Sequence, residues 1–196
     1  MLPLNSNSEN KDGFRWRNFF IWIILALILR WQVIEPRWIP SGSMLPTLQL
    51  KDKILIEKVR PRINKKFGRS LNYGEIVVFY PPQLLVDNGY DPDAALIKRL
   101  VGLPGDIIEI KEGNLIRNKV LVKEPWLLEK TNYDMKSIKV PIHHIWVLGD
   151  NRNNSLDSHI WGALPEENLI GTAVLRYWPI KSFGPIRFPT HKTLGD

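Results

Sequence analysis

The hydrophobic positions form one long run near the N-terminus and only short runs after it. The apolar run is unbroken over residues 19–29, and Arg30 interrupts it before further apolar positions. A helix over residues 19–34 would be about 24 Å long, and the Arg30 side chain could reach a membrane interface. Tryptophans stand where interfacial aromatic residues are expected: Trp16, Trp22, Trp31 and Trp38. The pattern therefore predicts one transmembrane helix over residues 18–35.

Two other interpretations of this run stay open. A buried helix would suit its length, because a clear membrane span needs about 18 apolar residues. A cleavable signal peptide has the same basic start and apolar middle, but no Ala-x-Ala-like site follows the run. We favour an uncleaved anchor. The basic residues Lys11, Arg15 and Arg17 then predict a cytoplasmic tail over residues 1–17, flexible over 1–12.

Beyond Pro40 the hydrophobic positions occur in short β-rich runs separated by Gly, Pro and Asn. The runs cover residues 54–56, 75–80, 96–101, 107–110, 115–117, 120–122, 145–148 and 172–178. No later stretch has a sustained helical period, although residues 165–169 are expected to form one helical turn. The pattern predicts a mainly β domain over residues 36–196. Two hairpins in 106–122 are expected to belong to a small inserted β subdomain over 106–142.

Composition narrows the possible classes of protein. The chain has 196 residues, of which 44% are hydrophobic, and it has no cysteine. This content is enough to build a core, so disorder along the whole chain is excluded. Disulfide scaffolds, thiol catalysis and cysteine-based zinc sites are excluded by the missing cysteine. The net charge of +7 suits nucleic acid, anionic lipid or a solvated basic surface equally.

Ser41 and Ser43 stand in a Ser-Gly-Ser segment just past the predicted anchor. One hydroxyl could act as a nucleophile and the other as a hydrogen-bond donor, while Gly42 relieves steric crowding. The Gly-x-Ser-x-Gly nucleophile elbow is absent here. By itself the segment is also typical of a linker between an anchor and a domain.

A serine nucleophile needs a base, which can be a histidine or a lysine. The histidine candidates are His143, His144 and His159, and Asp150 or Asp157 could complete a triad. His143 and His144 follow a proline and precede a strand, so they are more simply surface residues.

The lysine candidate is Lys98, in the strand predicted over 96–101. Strand alternation puts Lys98 and Arg99 on opposite faces, so one of them is expected to point inward. The alternative is a pair of charges on a solvated edge strand. An inward lysine acts as a base only if its pKa, ordinarily about 10.4, falls to near neutrality, and burial lowers it. We then expect no carboxylate close enough to Lys98 to restore its charge.

Residues 149–162 are rich in Asn, Asp and Ser. As a loop they would form Asx-turns and local capping bonds. As part of a site they offer the Ser155 hydroxyl to orient a neutral lysine, and Asp150 and Asp157 to hold nearby cations. The spacing and closing Glu of an EF-hand are absent, so no metal site is expected.

Taken together, four segments resemble type I signal peptidases, the membrane-bound serine/lysine proteases. They are Ser-Gly-Ser-Met-Leu-Pro-Thr-Leu at 41–48, Tyr-Gly-Glu-Ile-Val-Val-Phe at 73–79, Ile-Lys-Arg-Leu-Val-Gly-Leu-Pro-Gly-Asp at 97–106 and Gly-Asp-Asn-Arg-Asn-Asn-Ser at 149–155. The segments follow the family's order and cover most of the chain beyond the predicted anchor. Asn153 and His159 make the last segment most similar to cyanobacterial and chloroplast thylakoid members.

The resemblance implies roles for individual residues. Ser43 matches the nucleophile and Lys98 the general base. Ser41 matches the residue whose hydroxyl joins the Ser43 backbone N–H in the oxyanion hole. Ser155 matches the serine that hydrogen-bonds the lysine, and Asp157 matches an acidic position of the motif.

Four further residues match supporting positions of the family. Asp150 and Arg99 match a structural pair beside the site, and Met44 and Pro46 match positions that shape the substrate pocket. The chain departs from the family pattern at residues 73–75, where many members have Arg-Gly-Asp.

A second departure is His159, which stands where some members have an arginine that partners Asp157. A histidine is largely neutral near pH 7, so the resemblance does not predict this ion pair. Neither departure touches the proposed Ser43 and Lys98 dyad.

The resemblance also implies a fold and a function. The expected fold is a signal-peptidase-like β-sheet catalytic domain behind one transmembrane helix. The expected function is an endopeptidase that removes N-terminal signal peptides from secretory precursor proteins, cutting after small, Ala-x-Ala-like residues, without a cofactor. The location implied is the plasma or thylakoid membrane, in contact with lipid and with the catalytic domain on the periplasmic or lumenal side.

Two rival interpretations stay open. Self-cleaving SOS-type repressors also use a Ser/Lys pair on a related β fold, but they carry a DNA-binding domain where this chain has an apolar run. A membrane-tethered module for nucleic acid or lipid would use a basic stretch, Lys58, Arg60, Arg62, Lys65, Lys66 and Arg69. Only Phe67 could stack on bases there, so we favour a solvated loop near anionic headgroups and expect no nucleic-acid partner.

Overall fold

The computed structural model describes residues 10–58 and 71–186, with the backbone alone for 10–15 and 28–32. The helices are α1 (Asn10–Val33), α2 (Gln83–Asp87) and α3 (Ser158–Trp161). The strands are β1 (Ile34–Trp38), β2 (Lys53–Glu57), β3 (Ile76–Phe79), β4 (Leu96–Gly102), β5 (Ile107–Lys111), β6 (Asn114–Arg117), β7 (Val120–Leu121), β8 (Met135–Lys139), β9 (His144–Leu148), β10 (Leu164–Pro165), β11 (Leu169–Trp178) and β12 (Gly184–Pro185). Single 3₁₀ turns cover Arg152–Asn154, Glu166–Asn168 and Ile180–Ser182.

The N-terminal helix α1 differs in its bounds from the predicted anchor over 18–35. It includes residues 10–12 of the predicted flexible tail, and it ends at Val33 because residues 34–38 pair with β2 as an edge strand. Pro36 is compatible with that edge position, where no ladder hydrogen bond from its nitrogen is needed. Within the described ranges, no helix combines the length and the apolar character that crossing a membrane requires. The anchor stays a prediction.

The main sheet has eight strands, in the order β1-β2-β11-β3-β4-β9-β10, with β12 paired to β11. Every pairing in it is antiparallel. The long central strand β11 has register shifts between Ala173 and Leu175 and between Arg176 and Trp178. Such irregularities bend and twist a strand, and they curl the sheet. The prediction of a mainly β fold is confirmed.

A second sheet of four strands, in the order β7-β6-β5-β8, lies within the predicted insert over 106–142. Its two hairpins reverse at residues 112–113 and 118–119, where all four backbone φ angles are positive. Two consecutive positive φ angles are typical of the tight turns that suit a twisted hairpin. The two hairpins predicted in 106–122 are therefore present, and the boundary of a separate subdomain stays a prediction.

The strands β1, β8, β10 and β12 were not expected from the sequence. β8 lacks regular alternation, because only Met135 and Ile138 are partly buried and its pairing with β5 contains a register shift. β10 and β12 contain two residues each. The helical turn expected over 165–169 is present as Glu166–Asn168.

Strand β4 contributes to three core clusters at once. Ile97 packs below β2, β3 and β11, Leu100 packs with β9 and α3, and Val101 packs against the small sheet. Because apolar side chains cover both faces of this strand, Lys98 and Arg99 are both buried, with 5% and 1% of their surface exposed. We expected one of the pair to point inward, and the structure buries both.

Gly171 in β11 gives a test of this sheet, because an added Cβ would lie 2.4 Å from the Glu57 carbonyl oxygen on β2. We expect Gly171→Ala to lower the free energy of unfolding by about 1–3 kcal/mol, since the two strands would have to separate. Denaturant unfolding of the full chain measures this. The matched control is Gly184→Ala, whose Cβ would have nothing within 4 Å. Equal stability of the two variants would contradict the pairing of β11 with β2.

Candidate active site

The segment that carries Ser43 is a packed turn and not a flexible linker. Its backbone is closed by hydrogen bonds from the Leu45 N–H to the Gly42 carbonyl (3.1 Å) and from the Leu48 N–H to the Met44 carbonyl (2.9 Å). Met44 and Leu48 are buried in the core below β2, β3 and β11. The buried Met44 and Leu48 side chains thus fix the turn that carries Ser43 to the core.

Lys98 and Ser43 meet across this turn. The Lys98 Nζ donates a hydrogen bond to Ser43 Oγ at 2.6 Å, and both side chains are buried. The Ser41 Oγ lies 3.3 Å from Ser43 Oγ on an exposed residue. No histidine hydrogen-bonds Ser43 among the described residues, which favours the lysine over the histidine candidates. His143 is exposed in a turn and His144 bonds a neighbouring carbonyl.

Burial lowers the pKa of Lys98 to about 8. The carboxylates of Asp157 and Asp150 oppose this by favouring the ammonium form. We expected no carboxylate close enough to restore the charge of Lys98, and the effects of Asp157 and Asp150 do not outweigh that of burial. Lys98 nevertheless forms no ion pair with a described residue, so a large part of the desolvation cost stays uncompensated.

Arg99, the neighbour of Lys98, is held by a bidentate ion pair. Its Nε and Nη2 donate to the two oxygens of Asp150 at 2.7 and 2.6 Å, and its Nη1 donates to the Gly74 carbonyl at 2.8 Å. The Thr47 hydroxyl also donates to Asp150, at 2.5 Å. Because Thr47 belongs to the Ser43 turn, this cluster joins that turn to the loop over 149–162, here termed the catalytic loop.

The catalytic loop also contacts the Ser43 backbone directly. The Asn151 N–H donates to the Ser43 carbonyl at 3.0 Å, and the Asn151 side chain donates to the Gly42 carbonyl at 3.3 Å. A Cβ on Gly149 would lie 2.6 Å from the Ser43 carbonyl and 2.2 Å from Ser155 Oγ. No sequence signal pointed to a role of Thr47, Gly149 or Asn151, although all three stand in segments that carry the resemblance.

Ser155 does not make the hydrogen bond to Lys98 that the resemblance implies. Its Oγ is buried and has no hydrogen-bond partner among the described residues. The hydroxyl instead packs against Gly149.

Asp157 is completely buried, and both of its carboxylate oxygens accept hydrogen bonds. One oxygen accepts from the Gly149 N–H at 2.8 Å, and the other accepts from His159, from Nδ1 at 2.7 Å and from the backbone N–H at 3.2 Å. A carboxylate only accepts, so Nδ1 carries the proton of this bond. The structure thus brings His159 to Asp157 in spite of the departure from the family pattern.

The remaining predicted residues lie beside or outside this cluster. Met44 has no exposed surface, so it supports the Ser43 turn from below, and Pro46 is half-buried. Of the basic stretch only Lys58 is described, and it donates to Glu35 at 2.8 Å. Its other members lie outside the described residues. Within the described ranges no group of three His, Asp or Glu side chains could hold a metal ion.

The chain is similar to a family profile and to several curated relatives. The profile of the family described as "Signal peptidase, peptidase S26" matches residues 14–178. "Probable signal peptidase I-1" of Synechocystis is 43% identical over 164 residues, which cover 84% of this chain and 81% of that protein. "Probable thylakoidal processing peptidase 2, chloroplastic" of Arabidopsis thaliana is 42% identical over 160 residues, which cover 82% of this chain and 42% of that protein.

Solved structures also align with the chain. A signal peptidase I from Enterococcus faecalis aligns with a TM-score of 0.45 at 25% identity, over 53% of this chain and 97% of that one.

The predicted similarity to cyanobacterial and thylakoid members is confirmed by the two sequence relatives. The family profile covers most of α1, both sheets except β12, and the catalytic loop. The chain therefore belongs to the signal peptidase family, peptidase S26, a family of serine endopeptidases that remove signal peptides.

Proposed function

We propose that this chain removes N-terminal signal peptides from secretory precursor proteins, with Ser43 as nucleophile and Lys98 as general base. The observation that carries the proposal is the 2.6 Å contact between Lys98 Nζ and Ser43 Oγ in a buried setting. The lowered pKa of Lys98, about 8, supports it, because a neutral amine is needed to accept the serine proton.

The reaction proceeds as acyl transfer. Neutral Lys98 takes the Ser43 proton while Oγ attacks the carbon of the scissile carbonyl. The C–N bond then breaks, and the Lys98 ammonium gives its proton to the leaving amine of the mature protein. Lys98 next takes a proton from a water, which attacks the Ser43 ester and releases the signal peptide with a free carboxylate. Ser43 regains its proton from Lys98.

Ser41 is proposed to stabilise the oxyanion together with the Ser43 backbone N–H. Its hydroxyl lies 3.3 Å from Ser43 Oγ, on the exposed side of the turn, where a substrate carbonyl can approach. Hydrogen-bond donors held in place around a developing oxyanion are among the largest contributions to such catalysis.

Four other residues are proposed to hold the dyad in place. The Arg99 and Asp150 pair fixes the catalytic loop against the Ser43 turn through Thr47. Asp157 fixes the Gly149 backbone beside Ser43. Ser155 lies beside Gly149, and its hydroxyl, which has no hydrogen-bond partner among the described residues, is proposed to orient neutral Lys98.

The substrate is proposed to bind as an extended strand with small residues before the cut. Adding a strand to a sheet recognises a peptide mainly through its backbone, and shallow pockets then select small side chains. Pro46, next to the nucleophile and half-buried, is the proposed wall of that pocket. Met44 was expected to line it too, but it has no exposed surface and supports the turn from the core side.

The chain is further proposed to be a single-pass protein of the plasma or thylakoid membrane, in contact with lipid. The described apolar side chains over 19–25 of α1 are exposed, so a lipid environment would bury them. In this arrangement the tail over 1–17 is cytoplasmic. The catalytic domain over 36–196, including the insert over 106–142, is periplasmic or lumenal. Ser43 follows the end of α1 by a short segment, which keeps the site near the membrane surface.

The dyad is tested with purified full-length chain in detergent and a labelled secretory precursor added in trans. Ser43→Ala, Lys98→Ala and Lys98→Arg should each reduce processing to near background. The first removes the nucleophile and the second removes the base. The third replaces the base by a guanidinium, which cannot accept the proton. The matched controls are the exposed residues of β8, Ser137→Ala and Lys139→Ala, which should retain wild-type activity. Normal processing by Lys98→Ala would contradict the proposal, and self-cleavage without precursor processing would favour the repressor-like alternative.

The pH profile of processing gives an independent test of Lys98. Below pH 8, kcat/KM should fall about tenfold for each pH unit, because only the neutral lysine accepts the serine proton. The midpoint is expected at the lowered pKa of Lys98, about 8. A profile that is flat between about pH 6 and pH 9 would argue against a lysine base.

Ser41 is tested by its hydroxyl. Ser41→Ala should lower kcat by about 10²–10³ with little change in KM, the usual effect of losing one oxyanion donor. Ser41→Thr keeps the hydroxyl and should restore much of the activity. An equal loss in both variants would instead indicate that the volume of this residue matters and not its donor.

A further inference from the structure

The insert contacts the catalytic loop through one segment, residues 124–133, here termed the strap. Near its start, Glu124 forms a bidentate pair with Arg152 of the catalytic loop, at 2.9 and 2.5 Å. Near its end, the Asn132 N–H donates to the Asn153 side chain at 2.8 Å. The Glu124 and Arg152 side chains are only 6% and 1% exposed. The strap is therefore fixed to the loop at both ends.

Tyr133, the last residue of the strap, stacks on His159. The two rings are stacked with centroids 4.2 Å apart and an interplanar angle of 14°. The His159 ring is thereby held parallel to the Tyr133 ring while its Nδ1 bonds Asp157 at 2.7 Å. The Tyr133 hydroxyl has no hydrogen-bond partner among the described residues, so the ring and not the hydroxyl makes the contact.

Asp157 links this stack to the dyad. Its second oxygen holds the Gly149 N–H, and its negative charge is the larger of the two carboxylate effects that favour the charged form of Lys98. Whatever changes the charge at Asp157 therefore changes how readily Lys98 loses its proton. The His159 ring is bonded to that carboxylate at 2.7 Å, so a positive charge at this position would compensate the Asp157 charge.

We propose that His159, held in place by Tyr133 of the strap, is a positioning residue that sets the charge that Asp157 presents to Lys98. The proposal rests on the proposed role of Lys98 as the base. The insert then has a function in the site, because the Tyr133 ring of the strap holds the His159 ring in its hydrogen bond to Asp157.

The sign of the effect follows from the groups around Asp157. A neutral His159 leaves the Asp157 charge uncompensated, which favours the Lys98 ammonium. A protonated His159 compensates that charge, so Lys98 loses its proton at lower pH and the site stays active under more acidic conditions.

The other charged and titratable groups facing this cluster do not reverse that sign. Arg152 and Glu124 compensate each other as a pair, and Asp150 is paired with Arg99. Burial raises the pKa of Tyr133, so its phenol stays neutral throughout this range.

The test compares kcat/KM across pH for His159→Arg and His159→Gln, in the full chain with a labelled precursor. His159→Arg carries a permanent positive charge, so its acidic limb should move to lower pH, with about threefold higher kcat/KM at pH 7 for a half-unit shift. His159→Gln keeps a donor but no charge. Its acidic limb should therefore lie at higher pH than that of His159→Arg.

Tyr133 provides the matched pair for the strap. Tyr133→Leu should lower kcat while leaving KM nearly unchanged, because His159 loses its stacking partner. Tyr133→Phe keeps the ring and should behave as the wild type. Thermal unfolding of each variant identifies any that fails to fold, and the remaining variants then decide the outcome.

Profiles of both His159 variants that run parallel to the wild type would overturn the proposal, since a purely structural histidine causes the same loss at every pH. Equal kcat values for Tyr133→Leu and Tyr133→Phe would show that the Tyr133 ring does not help to position His159. Failure of the proposed function gives a different result, because Lys98→Ala would then still process the precursor.

Discussion

The buried contact between the Lys98 amine and the Ser43 hydroxyl is the interaction on which the rest of the site depends. An ammonium group that is removed from water without an ion-pair partner loses solvation, and its pKa falls. Strand β4 imposes that burial because core clusters cover both of its faces. The Ser43 turn then brings its hydroxyl to the amine, since Met44 and Leu48 fix the turn in the same core.

The neighbouring residues Lys98 and Arg99 show two solutions to burying a cation. A guanidinium cannot lose its proton in a protein, so Arg99 needs the bidentate Asp150 carboxylate, the Gly74 carbonyl and contact with the Trp126 ring at 4.5 Å. Lysine can lose its proton, and Lys98 has a hydroxyl as its close partner. The same strand thus holds one permanent cation for structure and one conditional cation for chemistry.

Site residues and strands that depend on local sequence could be predicted. Burial and element ends that depend on contacts between distant parts of the chain could not. The Ser43 turn, Lys98 and the segment after Gly149 could be identified from residue types and order, and their strands from short apolar runs. Alternation along β4 could not show that both faces are covered, because the cover comes from α3 and from the small sheet. The end of α1 at Val33 was also missed, since the pairing of 34–38 with β2 overrides the apolar run.

The strap illustrates the same limit within the site. Glu124 and Tyr133 lie in a region without a regular pattern, and only the fold brings them to Arg152 and His159. The most direct test of the whole account is an NMR titration of the lysine side chains in the full chain, with Lys98→Arg used to assign the Lys98 signal. Lys98 is expected to titrate at about pH 8. A midpoint near 10.4, as for an ordinary exposed lysine, would contradict it.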